Sequence, residues 1–158
     1  MREEPAPTRP APVTAVPRKL RVVGRSVAAG LVAAFAVIAV LLKETTSGAV
    51  SFRTADQAAM VLLGLLLAGG VLLVTRPKVT AGAEGVRVQN ILSGHTLPWA
   101  AVRAVRFDDS AQWASLLLAD GDELPMLAVQ AADGERAVDA VVGLRALLNA
   151  SRQAPGPA

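Results

Sequence analysis

The chain has 158 residues, of which 53% are hydrophobic and only 3% aromatic. This length suits one domain, or one small domain plus a membrane segment. The apolar fraction exceeds the roughly 45–50% that is usual in soluble domains. Its 16 Lys and Arg against 13 Asp and Glu give a net charge of +3, yet residues 75–158 hold eight basic and nine acidic residues, so we expect no nucleic-acid partner. The sequence contains no cysteine, which excludes disulfides, thiol catalysis and cysteine-bound zinc.

Residues 1–21 are predicted to form a disordered, extended tail on the cytoplasmic side. The stretch "MREEPAPTRPAPVTAVP" is rich in proline and has little apolar surface to bury.

Two apolar segments follow, and they predict a transmembrane hairpin over residues 22–75. The helices are expected at about 22–42 and 57–75, joined by the loop 43–56, because about 20 apolar residues span a bilayer. A cleaved leader is the alternative, since basic residues precede the first segment and small residues stand at Ser47–Ala49. Against it, the first apolar segment is longer than the 7–15 residues of the apolar region of a usual leader.

Basic residues flank both predicted spans, whereas the loop between them has no net charge. This asymmetry predicts a multi-pass protein of the plasma membrane with both termini in the cytoplasm. The same residues are candidate contacts for anionic lipid headgroups, and the sequence does not separate the two roles. They are Arg18, Lys19, Arg21, Arg25, Arg76 and Lys78.

Small residues four positions apart predict where the helices pack. Gly30 and Ala34 form one such pair and Gly64 and Ala68 another, and this spacing lets helices approach closely in lipid. Chance pairs in an alanine-rich sequence are the alternative.

From Lys78 onward, alternating apolar and polar residues predict short antiparallel strands, with turns at Ser93-Gly94 and Asp120-Gly121. Pro98 interrupts strand pairing, so Trp99 is expected to plug the core from a turn; an exposed recognition Trp99 is the alternative. The predicted core comprises Val86, Val88, Trp99, Val102, Val105, Phe107, Leu116 and Leu118.

A terminal amphipathic helix is predicted to close one end of this small domain, with Asp133 as its N-cap. Its apolar stripe is Val138, Val141, Leu144 and Leu148. The domain is expected over residues 76–150, followed by a disordered tail at 151–158.

These features resemble a known family, the bacterial pleckstrin-homology-like (PH-like) domain membrane proteins of actinobacterial type. The matching motifs are "EGVRVQN", "LPWAAV", "VRF" before an acidic pair, and "ADGERAV". The resemblance implies a seven-stranded, bent antiparallel β-barrel or sandwich capped by the C-terminal helix. Phosphoinositide-binding relatives carry Lys and Arg in the loop joining their first two strands. Here that loop is expected to be "TAGAEG", which holds Glu84 and no basic residue, so the sequence gives little support for phosphoinositide binding.

The titratable residues indicate no enzyme, metal site or cofactor. His95 lies in a predicted hairpin, and Asp108 and Asp109 are adjacent, so they point to opposite faces of a strand. The "DGDE" stretch lacks the ligands and length of a calcium loop.

The sequence therefore predicts a non-catalytic, membrane-anchored PH-like module that engages the lipid bilayer and a protein partner at the cytoplasmic face. Two alternatives remain, a sensor of anionic lipid headgroups and a small subunit of a larger membrane complex.

Overall fold

The structure is a computed structural model that describes residues 10–45 and 53–153. It divides into two compact units, one formed by the described parts of 1–17 and 77–158 and the other by Arg18–Arg76. The disorder expected for 1–9 and 154–158, and residues 46–52 of the loop expected at 43–56, lie outside the described residues.

The second unit is a pair of helices, α1 (Arg18–Thr45) and α2 (Thr54–Val74). Both are long and apolar enough to cross a membrane, and only 11% of the most apolar window of each is buried. The core helix of a soluble protein would bury a broader face. By length and composition, α1 and α2 are therefore candidate membrane spans.

The helix bounds differ from the predicted 22–42 and 57–75. Helix α1 starts four residues earlier because its basic first turns are helical as well as the apolar segment. Helix α2 starts at Thr54, where the Asp56 carboxylate accepts a hydrogen bond from the Arg53 backbone N–H at 2.9 Å. It ends before Thr75, whose hydroxyl donates to the Leu72 carbonyl at 2.8 Å, and Pro77 follows.

The first unit is built from two antiparallel sheets. One has the order β1-β2-β3-β4 and the other β5-β6-β7. The strands are β1 (Val13–Ala15), β2 (Lys78–Ala81), β3 (Gly85–Gln89), β4 (Gly94–Pro98), β5 (Val102–Arg106), β6 (Trp113–Leu118) and β7 (Glu123–Gln130), and α3 (Glu135–Gln153) follows them. These sheets and the terminal helix fit a PH-like fold.

The two sheets do not close into a barrel among the described residues. Pro98 ends β4, and the short 3-10 turn Trp99–Ala101 redirects the chain into the second sheet. The arrangement is therefore the sandwich form of the predicted fold.

The prediction of a disordered tail over 1–21 is wrong for its C-terminal part. Strand β1 pairs with β2, placing Val13 opposite Ala81 and Ala15 opposite Val79, and α1 begins at Arg18. The composition of the tail does not reveal β1, because β2, the strand with which it pairs, lies far along the chain. The helical pair is thus inserted between the first two strands of the sandwich.

Helix α3 packs on the sandwich through an apolar stripe, and its close approach to β1 requires Gly143. A Cβ added at Gly143 would lie 2.6 Å from Cγ2 of Val13. The buried stripe is Ala137, Ala140, Val141, Leu144, Leu147 and Leu148.

Val138 does not belong to this stripe, contrary to the prediction, and is 52% exposed. It lies about 100° around the helix from the buried Ala137. The helix also extends to Gln153, beyond the expected start of the tail at 151.

The core between the sheets contains most of the predicted residues. Val86, Val88, Trp99, Val102, Val105 and Leu116 are buried, and Phe107 and Leu118 pack partly buried against them. Trp99 is 4% exposed, and its indole N–H donates to the Gly82 carbonyl at 2.8 Å, which satisfies its one polar atom.

Candidate functional site

The predicted basic residues are the first candidates, and in the sequence they lie in, or directly after, the segment that connects β1 to β2. The expectation that "TAGAEG" joins the first two strands is wrong. Its residues 82–84 join β2 to β3, whereas the first two strands are joined by residues 16–77. The absence of basic residues from the loop around Glu84 is therefore not an argument against an anionic ligand.

Most of the predicted basic residues at this connection are accessible. Arg18, Lys19, Arg25, Arg76 and Lys78 are exposed. Arg21 is half-buried, and its Nε donates to the Thr75 carbonyl at 3.3 Å. Arg21 thus links the start of α1 to the end of α2, which gives it a structural role within the helical pair.

Only one of the two predicted small-residue faces packs inside the helical pair. A Cβ added at Gly64 would lie 2.7 Å from the Phe35 Cβ, and Ala68 is 5% exposed. Gly30 has nothing within 4 Å of such a Cβ, and Ala34 is exposed. The prediction is therefore wrong for Gly30 and Ala34 in this pair, because α1 turns other residues, among them Ala28 and Ala39, inward.

A groove on the outer face of the second sheet is a candidate that the sequence prediction missed. Arg106, Ser115 and Pro125 lie side by side on β5, β6 and β7. Together with the half-exposed Trp113 they line a cavity of about 360 Å³. Trp113 lies two residues before Ser115, and a register shift between Trp113 and Ala114 interrupts the pairing with β7, so the sequence of β6 contains no clear signal for it.

The groove is polar at one side and excess negative charge lies there. Arg106 forms ion pairs with Asp108 at 3.2 Å and with Glu123 at 3.9 Å. The buried Ser115 hydroxyl also donates to the Glu123 carboxylate. These side chains are half exposed, so the ion pairs contribute little stability. Two carboxylates and one guanidinium line the groove, so one acidic charge is unbalanced in a cavity that Trp113 also lines.

This combination suits recognition of a cationic side chain. A Lys or Arg over the face of an indole gains cation–π attraction, and a nearby carboxylate adds to it. Trp residues also dominate the energetics of many protein interfaces.

Two other titratable residues considered from the sequence, His95 and Asp120, do not line this groove. His95 is exposed on β4, and the Asp120 carboxylate accepts the Asp122 backbone N–H at 3.1 Å within the β6–β7 turn. Among residues 10–45 and 53–153, no group of three His, Cys, Asp or Glu is placed to hold a metal ion.

The PH-like sandwich has counterparts among known proteins. Residues 76–147 match the family model described as Bacterial PH domain. Uncharacterized proteins from Mycobacterium bovis and Mycobacterium tuberculosis are 44% identical over 121 residues, which cover 77% of this chain and 79% of each relative.

The chain belongs to the bacterial PH domain family, and the family resemblance named from the sequence is confirmed. A PH-like domain suggests an interaction module, and such domains are generally non-catalytic. The family match begins at Arg76 and so does not include β1.

Proposed function

We propose that this protein is a non-catalytic PH-like module, anchored in the plasma membrane by α1 and α2, that binds a protein partner. The observation that supports anchoring is the insertion of the helical pair between β1 and β2. Ala15 and Val79 are paired although the chain runs through both apolar helices between them. Two spans return the chain to the side from which it left, so this pairing is compatible with a membrane hairpin.

The side of the membrane follows from charge. Basic residues border the start of α1 and the end of α2, which favours the cytoplasm for the domain and both termini. Cleavage at Ser47–Ala49 would remove β1 from the sheet, so the pairing also argues against a cleaved leader. Reporters fused after Ala158 and inserted at Gly48 test this topology. An external C-terminal reporter would refute it.

The groove around Trp113 is the proposed docking surface for the partner. An extended partner segment carrying Lys or Arg fits its aromatic wall and its excess acidic charge. Tethering to the membrane raises the local concentration of the domain, so weak contacts suffice.

Replacing Trp113 tests this surface. The full-length Trp113→Ala variant should lose about 30-fold in partner affinity, because truncating such an anchor costs roughly 2 kcal/mol. Proteins crosslinked in cells and purified in mild detergent are quantified for this variant, for Val138→Ala as the exposed control, and for the unmodified protein. If every crosslinked protein is retained by a folded Trp113→Ala variant, the groove is not the docking surface.

Sensing of anionic lipid headgroups is the second candidate function. It is favoured by the exposed Arg76 and Lys78 at the return into β2, the connection where phosphoinositide-binding relatives carry basic residues. Each basic residue near a bilayer contributes about 1 kcal/mol, so Arg76→Gln with Lys78→Gln should weaken retention of anionic lipid about 30-fold. Lipids copurified with the full chain are measured, with Arg136→Gln as the control. Equal anionic enrichment in both variants would refute this function.

The third candidate, a subunit of a larger membrane complex, is favoured by the exposed Gly30 and Ala34 face of α1. Crosslinking in cells from this face tests it, and the absence of any crosslinked chain would count against it.

A further inference from the structure

Leu92 is the most exposed large apolar side chain of the sandwich, with 94% of its surface accessible. It lies in the turn of residues 90–93 that joins β3 to β4. Single exposed apolar residues are common on protein surfaces. The exposure of Leu92 therefore indicates a function only in combination with its position in the fold.

The turn that carries Leu92 is held firmly at its base. The Asn90 backbone N–H donates to the Ser93 carbonyl at 2.8 Å. The Asn90 amide donates to the Pro125 carbonyl at 2.9 Å and accepts the Leu127 N–H at 3.3 Å. Leu92 is therefore presented on a fixed turn, and little conformational freedom would be lost if it bound a surface.

Strand register places this turn at a particular end of the first sheet. Lys78, the first residue of β2, lies opposite Gln89, the last residue of β3. Ala15, the last residue of β1, lies opposite Val79. The chain thus leaves the sheet for α1, and returns to it from α2, at the same end from which the 90–93 turn projects.

The composition of the turn suits the edge of a bilayer. Residues 88–102 contain no Asp, Glu, Lys or Arg, so no charge would be buried on entering the headgroup region. Lys78, exposed at the base of the turn, has the charge that lipid phosphates attract.

We propose that the β3–β4 turn inserts Leu92 into the interfacial layer of the bilayer, with Lys78 at the level of the lipid phosphates. This inference rests on the proposed membrane anchoring. It adds a second point of attachment, which fixes how the sandwich is turned toward the lipid surface.

Single-cysteine labelling tests the insertion, and the natural sequence has no cysteine to interfere. Leu92→Cys is compared with Ala83→Cys, an exposed site in the β2–β3 turn at the opposite end of the sheet, and with Leu66→Cys, which is 65% exposed on α2. Each full-length variant carries the same environment-sensitive fluorophore in vesicles of equal parts phosphatidylcholine and phosphatidylglycerol. Nitroxide lipids with the quencher near the headgroup or in mid-chain report depth.

The expected result is quenching of the label at 92 by the shallow nitroxide, with a blue-shifted emission. The label at 66 should be quenched by the mid-chain nitroxide, and the label at 83 by neither. A label at 92 that behaves like the one at 83, while 66 is quenched, overturns the insertion but not the anchoring. If 66 is also unquenched, the anchoring itself fails. Shielding of 92 from aqueous iodide without nitroxide quenching would mean that protein covers Leu92, which also overturns the proposal.

Discussion

Asn90 shows how much one side chain contributes to this small sandwich. Its amide donates to Pro125 and accepts from Leu127 on β7, as a neighbouring strand would. The outer edge of β7 has no strand partner in the sheet order. Asn90 therefore joins the two sheets where their backbones do not pair.

Replacing Asn90 with alanine should lower the free energy of unfolding by about 1–3 kcal/mol, since two hydrogen bonds each contribute roughly 0.5–1.5 kcal/mol. Denaturation of the full chain in detergent, followed by tryptophan fluorescence, measures the change. Asn149→Ala, at an exposed position of α3, is the matched control and should lose nothing. Equal stability of the two variants would show that the bridge is not needed.

For single residues, the alternation of apolar and polar positions predicted much of the core but none of the contacts between the sheets. It placed Val86, Val88 and Val105 on inward faces, where the structure has them buried. The contacts of Asn90 depend on how the two sheets cross, which no local pattern encodes. The exposure of Trp113 could not be predicted, because WASLLL does not alternate, the pairing of β6 with β7 shifts at Trp113, and aromatic residues usually fill cores.

At the scale of elements, the close approach of the two apolar helices depends on Gly64. The Phe35 side chain occupies the space that a side chain at position 64 would need. Apolar composition predicted that both helices exist. It did not predict which pair of small residues lies in the contact between the helices, because Gly30 with Ala34 and Gly64 with Ala68 have the same spacing.

Gly64→Ala and Gly30→Ala form a matched pair that tests this packing. The added methyl group at 64 meets Phe35 and should cost about 1–3 kcal/mol through overpacking. The methyl group at 30 meets nothing within 4 Å, and alanine favours a helix by about 1 kcal/mol over glycine. Thermal unfolding of both variants in one detergent distinguishes them. A Gly64→Ala variant at least as stable as Gly30→Ala would contradict the packing.

At the scale of the whole molecule, the PH-like domain is discontinuous in sequence. Strand β1 precedes the helical pair and the remaining strands follow it. Residues 76–147, which match the family, therefore lack one strand of the first sheet. A fragment that starts at residue 75 would leave the edge of β2 unpaired, so binding experiments need the full chain.

Val13→Asn should destabilise the domain by about 1–3 kcal/mol, because it places a polar amide against the core and Gly143. Thr14→Asn, one residue along on the exposed face of β1, is the control and should be tolerated. Limited proteolysis of the full chain, with cleavage within residues 77–153 as the readout, compares them. Equal protection of both variants would mean that β1 does not support the sheet.

The discontinuity sets an order of events during synthesis. Strand β1 leaves the ribosome first and has no partner until α1 and α2 have been made, a wait of several seconds at roughly 5–20 residues per second. If the helices form a membrane hairpin, the sheet cannot be completed in a chain in which only one of the two spans has inserted. A chain with one failed insertion would hold β1 and β2 on opposite sides of the bilayer and would offer proteases an open sheet edge. Assembly of the sandwich would then serve as a built-in proofreading step for membrane insertion.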